Sequence, residues 1–207
     1  TYPAVIESIH LEYLQAGADI IETNTFGATS LVLEEYDLAD QAYELNKRAA
    51  ILARNAVNQV ATSDWPRFVA GSMGPTTKTL SVTGGTTFEI LKESYEEQAL
   101  GLIDGGSDLL LLETSQDLLN VKAGFLGIKQ AFQKRNIELP IMISGTIEPM
   151  GTTLAGQSIE AFFISVQHMK PIAVGLNCAT GPAFMQHHVR SLSDLASSYV
   201  NCYPNAG

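Results

Sequence analysis

At 207 residues, 45% hydrophobic and 16% charged, with a mean hydropathy of +0.09, the chain suits one large domain with a sizeable core and is a poor match for disorder. Twelve Lys and Arg against 22 Asp and Glu leave a formal charge of −10 and a pI near 4.7. That balance argues against nucleic acid or an anionic membrane as the main partner, because phosphate-binding surfaces need clustered cations; solubility is the plainer reading of the acidity. Cys178 and Cys202 do not make a disulfide framework, and no apolar run approaches the ~20 residues of a membrane span. The opening Thr1-Tyr2-Pro3-Ala4 lacks the charged and apolar regions of a signal peptide, so the expected compartment is the reducing cytoplasm.

In chain order, Val5 to Ala16 is helix-like and leads into a short apolar run, Asp19 to Thr23. From Ala39 to Val60, apolar residues at Ala42, Leu45, Ala49, Leu52, Ala53, Ala56 and Val60 make a helical stripe. A second apolar run, Phe68 to Gly71, precedes Thr86-Thr87-Phe88-Glu89, whose capping-box spacing predicts a helix to about Asp104. Glu89, Glu93, Glu96 and Glu97 form the expected solvated face of that helix. Leu109 to Glu113 is the third run; Asp117 then caps a helix to about Phe132. Ile141 to Ser144 is the fourth, with Ser158 capping the helix after it. Ile172 to Leu176 and Ser198 to Cys202 are the fifth and sixth, separated by a helix whose His187-His188 pair reads as surface. Gly17, Gly105 and Gly106 fall where helices must turn left-handed before strands.

The runs are apolar on both faces, as strands covered on both sides must be, and strand–helix alternation predicts a parallel sheet with right-handed crossovers. Two architectures remain: a (β/α)₈ barrel and an open doubly wound sheet. Asn24-Thr25-Phe26-Gly27 after the first run is not a dinucleotide fingerprint, and polar groups end nearly every run instead of gathering at one switch point. Both features favour the barrel. Six visible units against eight predict one strand beyond each end of the sequence, so that residues 1–207 are a barrel fragment.

Barrel sites lie at the carboxyl ends of strands. Thr23-Asn24-Thr25, Glu113-Thr114-Ser115, Ser144-Gly145-Thr146 and Asn177-Cys178-Ala179 all stand at such ends. Cys178 has three readings: a small buried hydrophobe; a nucleophile, for which no His stands in an evident partnership; and a metal ligand, for which only Asn205 offers company. Cys202, inside the last run, reads as core. Glu113 follows Leu109-Leu110-Leu111-Leu112, which carries its carboxylate to the rim; it is either a satisfied structural carboxylate or an anchor for a substrate ammonium. Asn24, Ser144, Thr146 and Asn177 add neutral hydrogen-bonding groups. Gly71-Ser72-Met73-Gly74-Pro75 and Thr83-Gly84-Gly85-Thr86 are weak phosphate cradles without a P-loop Lys.

The stretch Gly17 to Thr29, Ala-Asp-Ile-Ile-Glu-Thr-Asn-Thr-Phe at its centre, resembles the second-strand motif of the homocysteine S-methyltransferase family. Gly71-Ser72-Met73-Gly74-Pro75-Thr76, Leu112-Glu113-Thr114, Met142-Ile143-Ser144-Gly145-Thr146, Gly175-Leu176-Asn177-Cys178 and Tyr203-Pro204-Asn205-Ala206-Gly207 resemble its later strand ends in order, and the Ser144-Gly145-Thr146-Ile147 and Tyr203-Pro204-Asn205-Ala206-Gly207 forms most resemble its cobalamin-dependent branch. The resemblance implies a zinc-dependent barrel that binds homocysteine. Cys178 would be one zinc ligand, Asn205 the ligand that homocysteine displaces, and Glu113 the partner of the substrate's amino group. The chain departs from the pattern in lacking the family's Cys-Cys pair and its opening Asp-Gly-Ala-Met-Gly strand, so the remaining ligands are expected outside it. A methylcobalamin donor would sit on another domain, alongside a folate-binding one. A stand-alone enzyme using betaine or S-methylmethionine, or a non-catalytic remnant, are the alternatives.

Overall fold

All six apolar runs become strands of one parallel sheet in the computed structural model, which describes residues 2–206. They are β1 (Ile20–Glu22), β2 (Phe68–Met73), β3 (Leu109–Ser115), β4 (Ile141–Gly145), β5 (Ala173–Asn177) and β6 (Tyr199–Tyr203). The helices are α1 (Pro3–Gln15), α2 (Ser30–Leu33), α3 (Ala42–Val60), α4 (Phe88–Asp104), α5 (Leu118–Arg135), α6 (Ile159–Val166) and α7 (Pro182–Leu195). Spatial order equals sequence order, β1 through β6, with every neighbouring pair parallel. A doubly wound sheet would reverse direction partway along; this one does not. It is a curled, incomplete (β/α)₈ barrel.

Period-two alternation sorts the side chains. Ile21 and Val69 face outward and bury against Leu14 of α1 and Ala53, Ala56 and Val57 of α3. Leu110, Leu112, Ile143, Val174 and Leu176 join the larger outer core with the later helices. The inward set is small: Ala70, Leu109 and Leu111 cluster with Met142 in the lower barrel. Two residues further along the same strands, the inner face turns polar at Ser72, Glu113 and Ser144. The curl brings the sheet's two outer strands to one opening, a cavity of about 650 Å³ lined by Glu22 and Asn24 at one edge and Tyr203 at the other. Among the described residues no helix is long and apolar enough to cross a membrane.

Asp117 and Ser158 cap α5 and α6 as expected, accepting from Leu119 N (2.9 Å) and Ala161 N (3.3 Å). Other expectations need correction. The cap of α4 is Thr87, accepting from Ile90 N, so the helix starts one residue later than a Thr86 cap would place it. Residues Ala39–Gln41 form a separate 3₁₀ turn before α3. Glu96 is buried instead of solvated, because α5 packs on that side of α4 and supplies Lys134 to its Oε1 at 2.5 Å. Gly17 and Gly106 have the left-handed φ of a C-cap, but Gly105 is right-handed; its lack of a side chain lets α4 approach Ala50 and Lys47 of α3. Cys202 is exposed, since it points to the outer side of an edge strand, where its Sγ lies 3.6 Å from Met185 Sδ. Thr1 and Gly207, the last residue of the Pro-Asn-Ala-Gly motif, lie outside the described residues.

Candidate active site

Glu113 sits on the inner face of β3, two residues beyond Leu111, and is 6% exposed. Its Oε1 accepts a hydrogen bond from Ser72 Oγ of β2 at 2.5 Å. Burial holds the carboxyl above its usual range, and the serine bond offsets that in part. Immediately after it the strand breaks register: Thr114 takes a left-handed φ of 56°, and pairing with β4 shifts between Leu112 and Ser115.

The bulge is held by Asn177, at the end of β5 and fully buried. Its Oδ1 accepts from Thr114 N (3.0 Å) and Ser144 Oγ (2.6 Å). Its Nδ2 donates to Thr114 Oγ1 (2.7 Å) and Cys178 Sγ (3.2 Å). Strands β3 and β5 are not neighbours, so one carboxamide spans β4 and fastens three strand ends to the thiol. All its hydrogen-bonding capacity is spent inside the protein, which makes it a positioning group.

Cys178 is partly buried and, like Ala179 after it, left-handed, with φ of 53° and 56°. Its N–H donates to Tyr203 O (3.3 Å), and Asn205 N donates to Thr180 O (3.2 Å). The two expected metal ligands therefore stand at adjacent strand ends. Among the described residues no group of three His, Cys, Asp or Glu could hold a metal. A catalytic zinc takes about three protein ligands. One thiol and one amide thus fit zinc in kind and fall short in number.

A family described as homocysteine S-methyltransferase matches residues 1–207. The chain belongs to the homocysteine S-methyltransferase family. It is 44% identical over its 207 residues to the methionine synthase of Mycobacterium leprae (strain TN), covering all of this chain and 17% of that protein. Its fold is shared with the homocysteine methyltransferase MmuM of Escherichia coli. The metallated form superposes with a TM-score of 0.84 and the oxidized form with 0.83, each at 22% identity and over 99% of this chain, covering 73% and 72% of theirs.

Of the site residues expected from sequence, the structure gathers Glu113, Ser144, Asn177 and Cys178 into one mouth, with Asn205 reached through backbone. Asn24 stands exposed on the rim beyond β1, across the opening. Thr146 is buried behind the β3 bulge, its N–H donating to Ser115 O (3.1 Å). The Thr79–Gly85 loop does not offer its amides to a phosphate: Ser81 N and Leu80 N already donate to Asp117 Oδ2 (2.6 Å) and Asn120 Oδ1 (3.0 Å). The His187–His188 pair is on the surface of α7, its rings edge-to-face at 5.5 Å.

Sequence reading did not single out four residues that stand at these strand ends: Glu22, Ser72, Thr114 and Tyr203. Counting inward positions by twos would have found Ser72, and Glu22 from its pairing opposite Ala70. Glu22 reaches solvent through the open mouth, but the protein around its stem, and then the charge of Glu113, push its carboxyl up to about 7. Tyr203 Oη is enclosed beside the Ser144 hydroxyl, whose hydrogen goes to Asn177 Oδ1. Burial first, then Glu113 and Glu22, keep that phenol protonated far above its ordinary range.

Proposed function

We propose that this chain is the homocysteine-binding part of a methionine synthase, where it holds homocysteine for methyl transfer that yields methionine. One observation carries the reading: a nearly buried carboxylate, Glu113, opens into the same mouth as a thiol, Cys178, and one carboxamide fixes their two strand ends to each other. Homocysteine bears an ammonium and a thiol, the two groups that such a pair recognises. The 44% identity to a methionine synthase favours this branch over a stand-alone enzyme.

On this reading Glu113 accepts from the substrate ammonium, Ser72 holds the carboxylate in place, and Asn177 presents the Cys178 sulfur. Cys178 would be one ligand of a zinc ion, and Asn205 a weak ligand that yields to the substrate, with the remaining thiolates supplied from outside these 207 residues. When bound, the metal supplies the charge that keeps a thiol sulfur deprotonated near neutral pH. The methyl donor is methylcobalamin on another domain of the same polypeptide, with a folate-binding domain beside it. The chain is a fragment of the barrel that lacks the first and last strands, and the complete protein works in the cytoplasm.

The test is calorimetric titration of homocysteine into the complete protein and its Glu113→Gln variant. Loss of the charge-assisted contact should weaken binding by about 1.5–3 kcal/mol. Equal affinities would remove Glu113 from the site.

A further inference from the structure

Resting on the homocysteine reading above, we infer that Thr23 and Thr25 are positioning residues for the substrate's ammonium: a closed ring of hydrogen bonds through their hydroxyls fixes Ser72, and Ser72 fixes the Glu113 carboxylate. Strand β1 ends at Glu22, and its ladder with β2 runs on to Thr23 N, which donates to Ala70 O at 3.0 Å. A parallel ladder in the same register would continue with Ser72 N donating to Thr23 O and Thr25 N donating to Ser72 O. The hydroxyls of those same two residues act instead. Ser72 N donates to Thr23 Oγ1 (3.0 Å), Thr25 Oγ1 donates to Ser72 O (2.7 Å), and the two hydroxyls meet at 2.6 Å.

The hydrogens of this ring have one arrangement. A carbonyl only accepts, so the Thr25 hydrogen goes to Ser72 O, and the contact between the hydroxyls must use the Thr23 hydrogen. Each hydroxyl then donates once and accepts once. Both main-chain groups of Ser72 are satisfied without its side chain, whose hydrogen is left for Glu113 Oε1 at 2.5 Å. All four residues are buried, where an open hydrogen bond is most costly.

The ring is also held from the helix layer. Gln98 of α4, fully buried, donates from Nε2 to Thr25 O (2.8 Å) and to Asn46 Oδ1 of α3 (3.2 Å). Thr25 is thus fixed at its carbonyl by a helix and at its hydroxyl by β2. From Gln98 to Glu113, every link is a hydrogen bond between buried groups. A serine hydroxyl on a loose backbone could take any of three staggered positions; here it stays on the carboxylate. Removing the ring would cost Glu113 its orientation and leave its charge. The loss should therefore fall on the ammonium contact alone and vanish where that contact is already gone.

The experiment uses calorimetry on the complete protein with homocysteine and with 4-sulfanylbutanoate, the same thiol acid without its amine. Thr25→Val keeps the shape of the side chain and removes the hydroxyl. It should bind homocysteine about tenfold more weakly and the analogue unchanged, while Thr25→Ser restores wild-type affinity. In a Glu113→Gln background, Thr25→Val should weaken homocysteine no further. Thr23→Val cuts the same ring at its other hydroxyl and is measured in parallel, with melting temperatures, so that one folded variant suffices. Wild-type affinity in the valine variants, equal loss of both ligands, the same loss in the Glu113→Gln background, or no recovery with serine each overturns the inference and leaves the homocysteine reading intact. If neither valine variant folds, the ring serves the fold alone and the inference falls. A wild type that binds no homocysteine, or a Glu113→Gln variant that binds it equally well, sinks the homocysteine reading as well.

Discussion

Glu22 shows how one residue records its surroundings. Its carboxyl is raised from 4.5 to about 7, so the folded chain holds a proton that the unfolded chain releases. Stability from this group is complete below about 4.5 and declines as pH rises through 7. His10, whose folded value is lowered from 6.5, has the opposite sign: its contribution is lost as pH falls below 6.5. We therefore expect Glu22→Gln to raise the melting temperature at pH 8 and to change it least at pH 4.5. Solvent screening at the open mouth limits the size of the effect. Melting curves across that range check it, and a shift of equal size at both ends would mean that Glu22 ionises freely. Asn177 is the contrasting case, since its value is geometric. Replacing it with Ala would strand Thr114 N and the Ser144 and Thr114 hydroxyls, each a buried group costing on the order of 1–3 kcal/mol when unpaired. Urea denaturation of Asn177→Ala should show a loss of roughly 3 kcal/mol or more; a loss under about 1 kcal/mol would show that the strand ends hold themselves.

Among elements, β5 and β6 depend on a missing side chain. A Cβ at Gly175 would stand 2.1 Å from the backbone oxygen of Asn201 and 2.3 Å from its Oδ1. Gly175→Ala should therefore weaken the β5–β6 pairing severely, and adding Asn201→Ala should not rescue it, because the tighter clash is with backbone. Hydrogen exchange of the β6 amides in the single and double variants is the measurement; full rescue would place the conflict in the side chain. Neither this clash nor the Asn177 hub was legible in the sequence, because both depend on which inner positions share a level after the sheet curls. What was legible depends on periodicity and on caps. Apolar runs found six strands, and Asp117 and Ser158 marked two helix starts. The expectation failed at Glu96, where a solvated-looking stripe meets α5, and at Cys202, where a residue that reads as core sits on the outer side of an edge strand. Local sequence cannot say which neighbour an element will meet. That Cys178 and Glu113 stand at strand ends was legible from the apolar runs before them; that the Tyr203 ring faces the same side was not, because it follows the last run and depends on the curl of the sheet.

At the scale of the molecule, the two open strands, β1 and β6, decide which surfaces the sheet leaves unpaired. The chain spans 17% of the length of the methionine synthase it matches, so most of such a protein lies elsewhere. Some of the exposed apolar side chains lie beside the open strands: Val5, Ile9, Tyr13 and Ile20 near β1, Phe184, Leu195 and Tyr199 near β6. Further barrel strands would cover them, and on the proposed zinc reading the same strands would bring the remaining thiolates. Metal affinity should then follow chain length. With one thiol and one amide at the rim, the 207-residue chain should retain well under one zinc per molecule after dialysis. The complete protein should retain one, since three thiolates bind far more tightly than one and release of their protons drives the site closed. Elemental analysis of both proteins decides it. Stoichiometric zinc in the short chain would mean that donors already within reach suffice, and the role given to Cys178 as one member of a larger set would have to be abandoned.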